Sequence, residues 1–360
     1  MGGGVRMPRG TGLRSGVLAP ARVARLVPAL PRMPMRVLGV QRLTMQVLTV
    51  RAIFLTMLLA AGTTAARADS YYLTVAGLGG EPDYEQRFTQ QASDLDRIFK
   101  AAGATAHVVT LSGKEATRAH LTAALQTIAG QAKPEDDFLM ILIGHGSYDG
   151  VEYKFNLPGP DISATTLAQL CNHIASKRQL IVNTTSSSGG SVPALARKGR
   201  ALIAATKSGT EKNATVFARY WVEALQDGRA DVDKNDTVSA LEAFQYATTK
   251  TAAFYDSQKR LATEHAVFAD TGSGAAAVRV ASTTTADGRL LASMALVRFG
   301  TERAASSNPA KRTLLARKEQ LEARIDTLKY QRAAMSPQEY RQQMTDSLLA
   351  LAKVQQELDK

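Results

Sequence analysis

Six consecutive apolar residues, Phe138-Leu139-Met140-Ile141-Leu142-Ile143, constrain this chain more than any other feature. A strand with one wet face alternates apolar and polar side chains, whereas an unbroken run of this length suits a strand covered on both faces. The flanking sequence agrees. Tyr71 to Ala76 reads as a strand, Gly77 to Pro82 as a glycine-rich turn, and Tyr84, Phe88, Leu95, Phe99 and Ala102 as the apolar face of a helix that Gly103 stops. His107 to Leu111 supplies a second strand, and Leu121, Leu125 and Ile128 stripe a second helix that ends near Pro134. Beyond the run come a polar loop, a helix from about Ser163 to Ser176, and short strands at Leu180–Val182 and Ala201–Ala205. Strands alternating with helices imply an α/β fold with a mainly parallel sheet and helices on both sides.

In such sheets the chemistry sits at the carboxyl ends of the strands. Three segments follow those ends here: Gly144-His145-Gly146-Ser147, Asn183 through Gly190, and Thr206-Lys207-Ser208-Gly209. All are small, polar and glycine-bearing. A His at the end of a buried strand can act as general base, and the amide of the following Gly can help bind an oxyanion. A second strand ending in a small nucleophile completes an arrangement for acyl transfer.

The order of strand, His145-Gly146, about 40 residues, strand, then Thr185-Ser186-Ser187-Ser188-Gly189 resembles the caspase-like cysteine peptidases, with the legumain branch closest. That group carries Ala-Cys-x-Ser-Gly at the second strand end, so Ser186 stands where the family has its catalytic Cys. The resemblance spans Tyr71 to Gly272 and implies a caspase-like three-layer sandwich from Asp69 to about Thr301. It further implies peptide-bond hydrolysis, with His145 as base, Ser186 as nucleophile, and the Gly146 and Ser186 amides as oxyanion donors. Ser188, Gly189, Ser208 and Gly209 would contact a peptide or protein substrate. Lys207, Glu211 and Lys212 read either as selectors of a substrate side chain or as a solvated charged loop.

The departure carries chemical weight. A thiol is partly ionised at neutral pH, while a hydroxyl needs a well-aligned, supported base. Three readings follow: a serine-using hydrolase, an inactive pseudo-peptidase that binds peptide or assembles with a partner, and a peptidase with another nucleophile. The single Cys, Cys171, lies on an apparently helical segment and reads as a core residue. One Cys also excludes a disulfide framework and a multi-thiolate metal site. No glycine-rich phosphate loop of known spacing points to a nucleotide cofactor.

The formal charge of +12 is concentrated at the N-terminus: residues 1–68 hold ten Arg, no Lys and no acidic residue. The remaining 292 residues carry 34 basic and 32 acidic side chains, which removes the argument for a nucleic-acid partner. Arg51, the apolar run Ala52–Ala61 and the small residues ending Ala66-Arg67-Ala68 form a secretory signal with cleavage expected before Asp69. The run is too short to span a bilayer. Met35 or Met45 would give a leader of ordinary length, and a transit peptide is the competing reading of the Arg-rich stretch. The expected location is the bacterial periplasm or the outside of the cell.

Asp231, Asp233, Asn235, Thr237, Ser239 and Glu242 occupy positions 1, 3, 5, 7, 9 and 12 of an EF-hand-type loop. Asp236 stands in place of the usual Gly at position 6. Calcium in a structural role and a metal-free Asp-rich helix cap are both compatible with this pattern. Residues 302–312, with Ser306-Ser307-Asn308-Pro309, read as a linker to a helical tail, 313–360. Leu314, Leu321, Leu328 and Met335 recur every seven residues, Ser336-Pro337-Gln338-Glu339 is a capping box, and Met344, Leu348, Leu351 and Leu358 stripe a second helix. A helical hairpin or coiled coil is expected, serving as a docked appendage, a homo-oligomer interface or a contact for another protein.

Overall fold

The computed structural model describes residues 68–102, 105–272, 278, 281 and 286–360, with the side chains of all these except Thr301, Ser307, Tyr330 and Ala333. The expected leader upstream of Ala68 and the helix stop at Gly103 lie outside the described residues. The chain enters as β1 (Ser70–Ala76), α1 (Pro82–Lys100), β2 (Ala106–Leu111), α2 (Arg118–Gln131) and β3 (Asp137–Ile143). A small antiparallel ribbon follows, made of β4 (Gly146–Tyr148), β5 (Tyr153–Phe155) and β6 (Ile162–Ser163). Then come α3 (Ala164–Asn172), β7 (Arg178–Asn183), α4 (Val192–Leu195), β8 (Arg200–Ala204), α5 (Phe217–Ala224), β9 (Thr237–Ser239), α6 (Ala240–Ser257) and β10 (Val267–Ala269). The chain closes with α7 (Arg289–Ala292), β11 (Ala295–Arg298), α8 (Gly300–Ser307), α9 (Arg312–Gln331) and α10 (Pro337–Leu358).

Six strands form one sheet in the order β10-β8-β7-β3-β1-β2, parallel except for the β8–β10 pair at one edge. The apolar run explains its own position. Leu139, Ile141 and Ile143 join the core under α1, α5 and α6, while Phe138, Met140 and Leu142 face the opposite core under α2 and α3. Each fully buried side chain of this size contributes about 2 kcal/mol relative to exposure. The sheet is thus the middle of three layers. Thr117 caps α2 by accepting the His120 amide, and Leu121, Leu125 and Ile128 are buried as their spacing requires.

Three local expectations change. The polar loop after β3 is the β4–β6 ribbon, because Tyr153 and Phe155 alternate inward around an exposed Lys154. The third helix stops at Asn172, and Ser176 instead donates to the Asp136 and Arg178 carbonyls. The stretch read as a linker is helical through Ser307, because Glu302 within it meets Lys318 of α9 in a buried ion pair at 2.6 Å. Helices α9 and α10 form an antiparallel hairpin whose ends meet where Lys311 Nζ donates to the Leu358 carbonyl. Leu321, Ile325, Leu328 and Leu358 are buried, but Leu348, expected in the inner stripe, is 49% exposed and Leu349 is 58% exposed.

Candidate active site

Parallel pairing brings the strand ends level. The Gly77 amide donates to the Ile143 carbonyl at 2.8 Å, the Thr184 amide and hydroxyl to Leu142 at 2.9 and 2.7 Å, and the Ala205 amide to Asn183 at 3.0 Å. The segments singled out from the sequence therefore emerge side by side. Gly146 and Ser186 touch. Ser186 Oγ accepts the Gly146 amide at 3.1 Å and donates to the Gly146 carbonyl at 3.0 Å, and the residue is only 3% exposed. A Cβ at Gly146 would lie 2.6 Å from the Ser186 carbonyl oxygen and 2.5 Å from the Tyr153 ring, so only Gly permits this approach.

His145, half-buried, turns toward α1 and lies edge-on to Tyr84 and Phe88, with centroids 4.8 and 5.2 Å away. Burial holds its pKa below the usual imidazole range, opposed by a hydrogen bond to the Gly79 backbone and the charge of Glu81. Among the described residues no carboxylate hydrogen-bonds the ring. Asp149 does not serve: its carboxylate closes the β4–β5 turn by accepting the Val151 and Glu152 amides at 2.9 and 2.8 Å. The Ser186 proton is directed at a backbone carbonyl, and the Gly146 amide, expected as an oxyanion donor, is bonded to the Ser186 hydroxyl. Gly146 meets Ser186, yet the Ser186 hydroxyl is engaged with the Gly146 backbone and the His145 ring lies against Tyr84 and Phe88.

The residues expected to contact substrate also form a wall beside the two strand ends. Ser188 Oγ accepts the Thr206 amide at 3.1 Å, and the Gly189 amide donates to Thr206 Oγ1 at 2.9 Å, so both serve to join two loops. Ser188 and Gly189 are buried, and Gly209 lies beneath the Tyr148 ring, where a Cβ would come within 2.3 Å of Cγ; Ser208 is half-buried. Ser187 adopts a left-handed φ of 57° and its amide donates to the Glu211 carbonyl. The Glu211 carboxylate accepts the Lys207 and His265 amides, which makes it a loop bracket rather than a free selector. Cys171 is buried, its thiol pushed up to about 11 by burial, as a core residue should be.

An open cleft lies beside this wall. It measures about 270 Å³ and is lined by Arg87 and Gln91 of α1, Gly144, Thr184, Thr215 and Arg219 of α5. Phe88 lines it too and so links it to His145. Gln91 is 9% exposed and its Oε1 has no hydrogen-bond partner. The two guanidiniums rest near the rings of Tyr84 and Tyr220, at 5.0 and 5.3 Å, and form no ion pair among the described residues. Sequence reasoning missed these residues because a surface Arg on a helix looks like any solvated charge.

Asp231, Asp233 and Glu242 converge, with one oxygen of each within 4.8 Å of the others. Asp231 accepts the Asn235 and Asp236 amides, Asn235 Oδ1 accepts that of Thr237, and Asp236 takes the left-handed φ of 63° that the missing Gly would have supplied. Ser239 and Glu242 form the capping box of α6. Burial and then the Glu242 charge raise the Asp233 pKa. Three crowded carboxylates are the kind of donor set a hard cation would relieve.

The three-layer sandwich and mainly parallel sheet, with His145 between β3 and β4 and Ser186 following β7, set the architecture. The described residues form an α/β three-layer sandwich with a mainly parallel sheet and a C-terminal helical region. No known family profile and no curated protein matches the sequence. Among solved structures, the Drosophila initiator caspase Dronc is similar at 10% identity and a TM-score of 0.38, over 59% of this chain and 82% of its own. A Geobacter sulfurreducens protein gives 16% and 0.39 over 56% and 92%. Caspase-1 from Spodoptera frugiperda gives 12% and 0.38 over 57% and 86%. Likenesses of this size carry no argument of their own.

Proposed function

We propose that this chain is an exported pseudo-peptidase of the caspase-like type, closest to the legumain branch, that binds peptide without cleaving it. Ser186 stands where that group has its Cys. The observation that carries the reading is the closed pair between Ser186 Oγ and the Gly146 backbone. A hydroxyl held this way has no proton to give a neutral, carboxylate-free imidazole, and the oxyanion donor is already bonded. The cleft beside it supplies the binding role. Two guanidiniums without ion-pair partners among the described residues suit a carboxylate, from an acidic side chain or a peptide C-terminus, and the unpaired Gln91 Oε1 can accept a peptide N–H.

Fluorescence anisotropy with acidic peptides tests this. The parent binds them without turnover, Ser186→Ala binds equally well, and Arg87→Met with Arg219→Met weakens binding by about tenfold or more. Peptide-amide analogues of the same sequence bind more weakly. The second reading is hydrolysis by His145 and Ser186, favoured by the shared location of His145, Gly146 and Ser186 at two adjacent strand ends. Turnover in the parent that disappears in Ser186→Ala would establish it and end the pseudo-peptidase proposal. A silent parent with an active Ser186→Cys variant fits a groove that kept its shape and lost its nucleophile.

The acidic loop is proposed as a structural calcium site, with Asp231, Asp233 and Glu242 as carboxylate donors and Asn235, Thr237 and Ser239 completing the ring. Calcium is expected to raise the melting midpoint, chelator to reverse the gain, and Asp231→Asn with Asp233→Asn to abolish the response. A melting curve indifferent to calcium would leave the loop as a metal-free helix cap. The helical tail is proposed as the partner-facing element, with Leu348 and Leu349 on its outer helix.

A further inference from the structure

Asp69 is tied into the fold through both its backbone and its side chain. Its backbone N–H donates to Asp136 Oδ1 at 2.8 Å, its carbonyl accepts the Asp137 amide at 3.0 Å, and its carboxylate lies 3.4 Å from His107 Nε2. The preceding residue, Ala68, is exposed. Asp136 is 2% exposed, yet its carboxylate is met by backbone amides, those of Asp69 and, at 2.8 Å, Lys133. Among the described residues no side-chain cation pairs with it. A buried carboxylate without a cation is costly, so this arrangement is short of one positive charge at the Asp69 nitrogen.

We propose that removal of the leader between Ala68 and Asp69 creates an α-ammonium that pairs with the buried Asp136 carboxylate, so that export processing completes the fold. The inference rests on the export part of the reading above. Water adds across the peptide bond: its hydroxyl goes to the Ala68 carbonyl carbon, the C–N bond breaks, and the Asp69 nitrogen leaves as an amine that takes up a proton. An amide N–H gives Asp136 one bond to a neutral donor, whereas an ammonium at the same place gives three donors and a full charge. Charged and titratable groups near this point include the Asp69 carboxylate with His107 on β2, Asp137 with Arg178 across β3 and β7, Lys133 beside Asp136, and Tyr71 on β1. The Tyr71 hydroxyl is raised by burial and then by Asp136 and Asp69.

Pairing with Asp136 should lift the amine above its ordinary value of about 8. The folded value then exceeds the unfolded one, so the added stability is complete below about pH 8 and is lost as pH rises through the folded value. That window lies above the imidazole range and below the range of Tyr71.

The test exports the full chain with its own leader and reads the intact mass, which should correspond to a start at Asp69. A leader variant with one Gly inserted between Ala68 and Asp69, processed before that Gly and confirmed by mass, keeps Asp69 N as an amide. The Asp69 form should melt about 4 °C higher at pH 7, with the gap closing towards about pH 10. Asp136→Asn in both forms should remove the gap. A cut elsewhere, equal midpoints, or a gap that survives high pH or Asp136→Asn would overturn the proposal. Should Asp136→Asn fail to fold, the pH dependence of the two parent forms still decides. No peptide is involved, so this failure is separate from failure of the pseudo-peptidase reading.

Discussion

Lys318→Met is expected to cost about 3–5 kcal/mol of unfolding free energy, because it strands a buried carboxylate. Lys318 and Glu302 have side chains only 8% and 4% exposed, with Nζ 2.6 Å from Glu302 Oε1. The same ammonium donates to the Asn235 carbonyl at 3.2 Å and lies 3.8 Å from Glu322. Burial already pushes the Glu322 carboxyl up to about 7 against the pull of Lys318. Removing the cation therefore uncovers two acids and releases the acidic loop from α9. Urea unfolding of the full chain measures the loss. Lys318→Met combined with Glu302→Leu should recover most of it, since the stranded charge is then gone as well. A single-variant loss under about 1 kcal/mol would show that the tail is not clamped through this pair.

Gly189→Ala is the other large effect, at about 3 kcal/mol. The new Cβ would sit 2.3 Å from the Ser208 amide nitrogen, 2.5 Å from the Lys207 carbonyl carbon and 2.6 Å from the Thr206 carbonyl oxygen. All three are backbone atoms, so no rotamer change relieves the contact, and the loops after β7 and β8 must separate. Gly190→Ala is the control. Its Cβ would meet the Tyr148 ring at 2.8 Å, a side chain able to swing, and the cost should stay near 1 kcal/mol. Equal losses in the two variants would mean that the wall between the loops is not the rigid element described above. Peptide binding should fall with Gly189→Ala and persist in Gly190→Ala, because Thr184 and Thr215 line the cleft from the same wall.

Much of this fold was legible as pattern. The unbroken run at Phe138–Ile143 belongs to a strand with a core on each side, the stripe Leu121, Leu125, Ile128 is buried, and the strand ends at Ile143 and Asn183 carry the segments picked out for chemistry. Periodicity reports which face of an element meets a core, and that information is local. The β4–β6 ribbon was not legible, since strands of two or three residues carry too short an alternation. The edge strand β10, running against its neighbour, was hidden for the same reason. The seven-residue spacing in the tail read correctly as helix, yet it did not say that Lys318 would bury its charge against Glu302.

The candidate site divides along the same line. Residue types at strand ends point to His145, Gly146 and Ser186, and their nearness follows from parallel pairing of β3 and β7. Which atoms meet was settled by contacts between segments far apart in the sequence: Ser186 closing on Gly146, Tyr84 and Phe88 receiving His145, and Tyr148 covering Gly209. Small polar residues such as Ser188 and Gly189 suit both a groove and a tight loop junction, and only packing shows that here they join two loops. Arg87, Gln91 and Arg219 come from two helices that meet above the sheet, so no stretch of sequence holds their cleft. Hydrophobic period and strand-end chemistry are properties of neighbouring residues and can be read along the chain. Hydrogen-bond partners and the loss of water around a charge depend on residues far apart in sequence, and they exist only once the layers have packed.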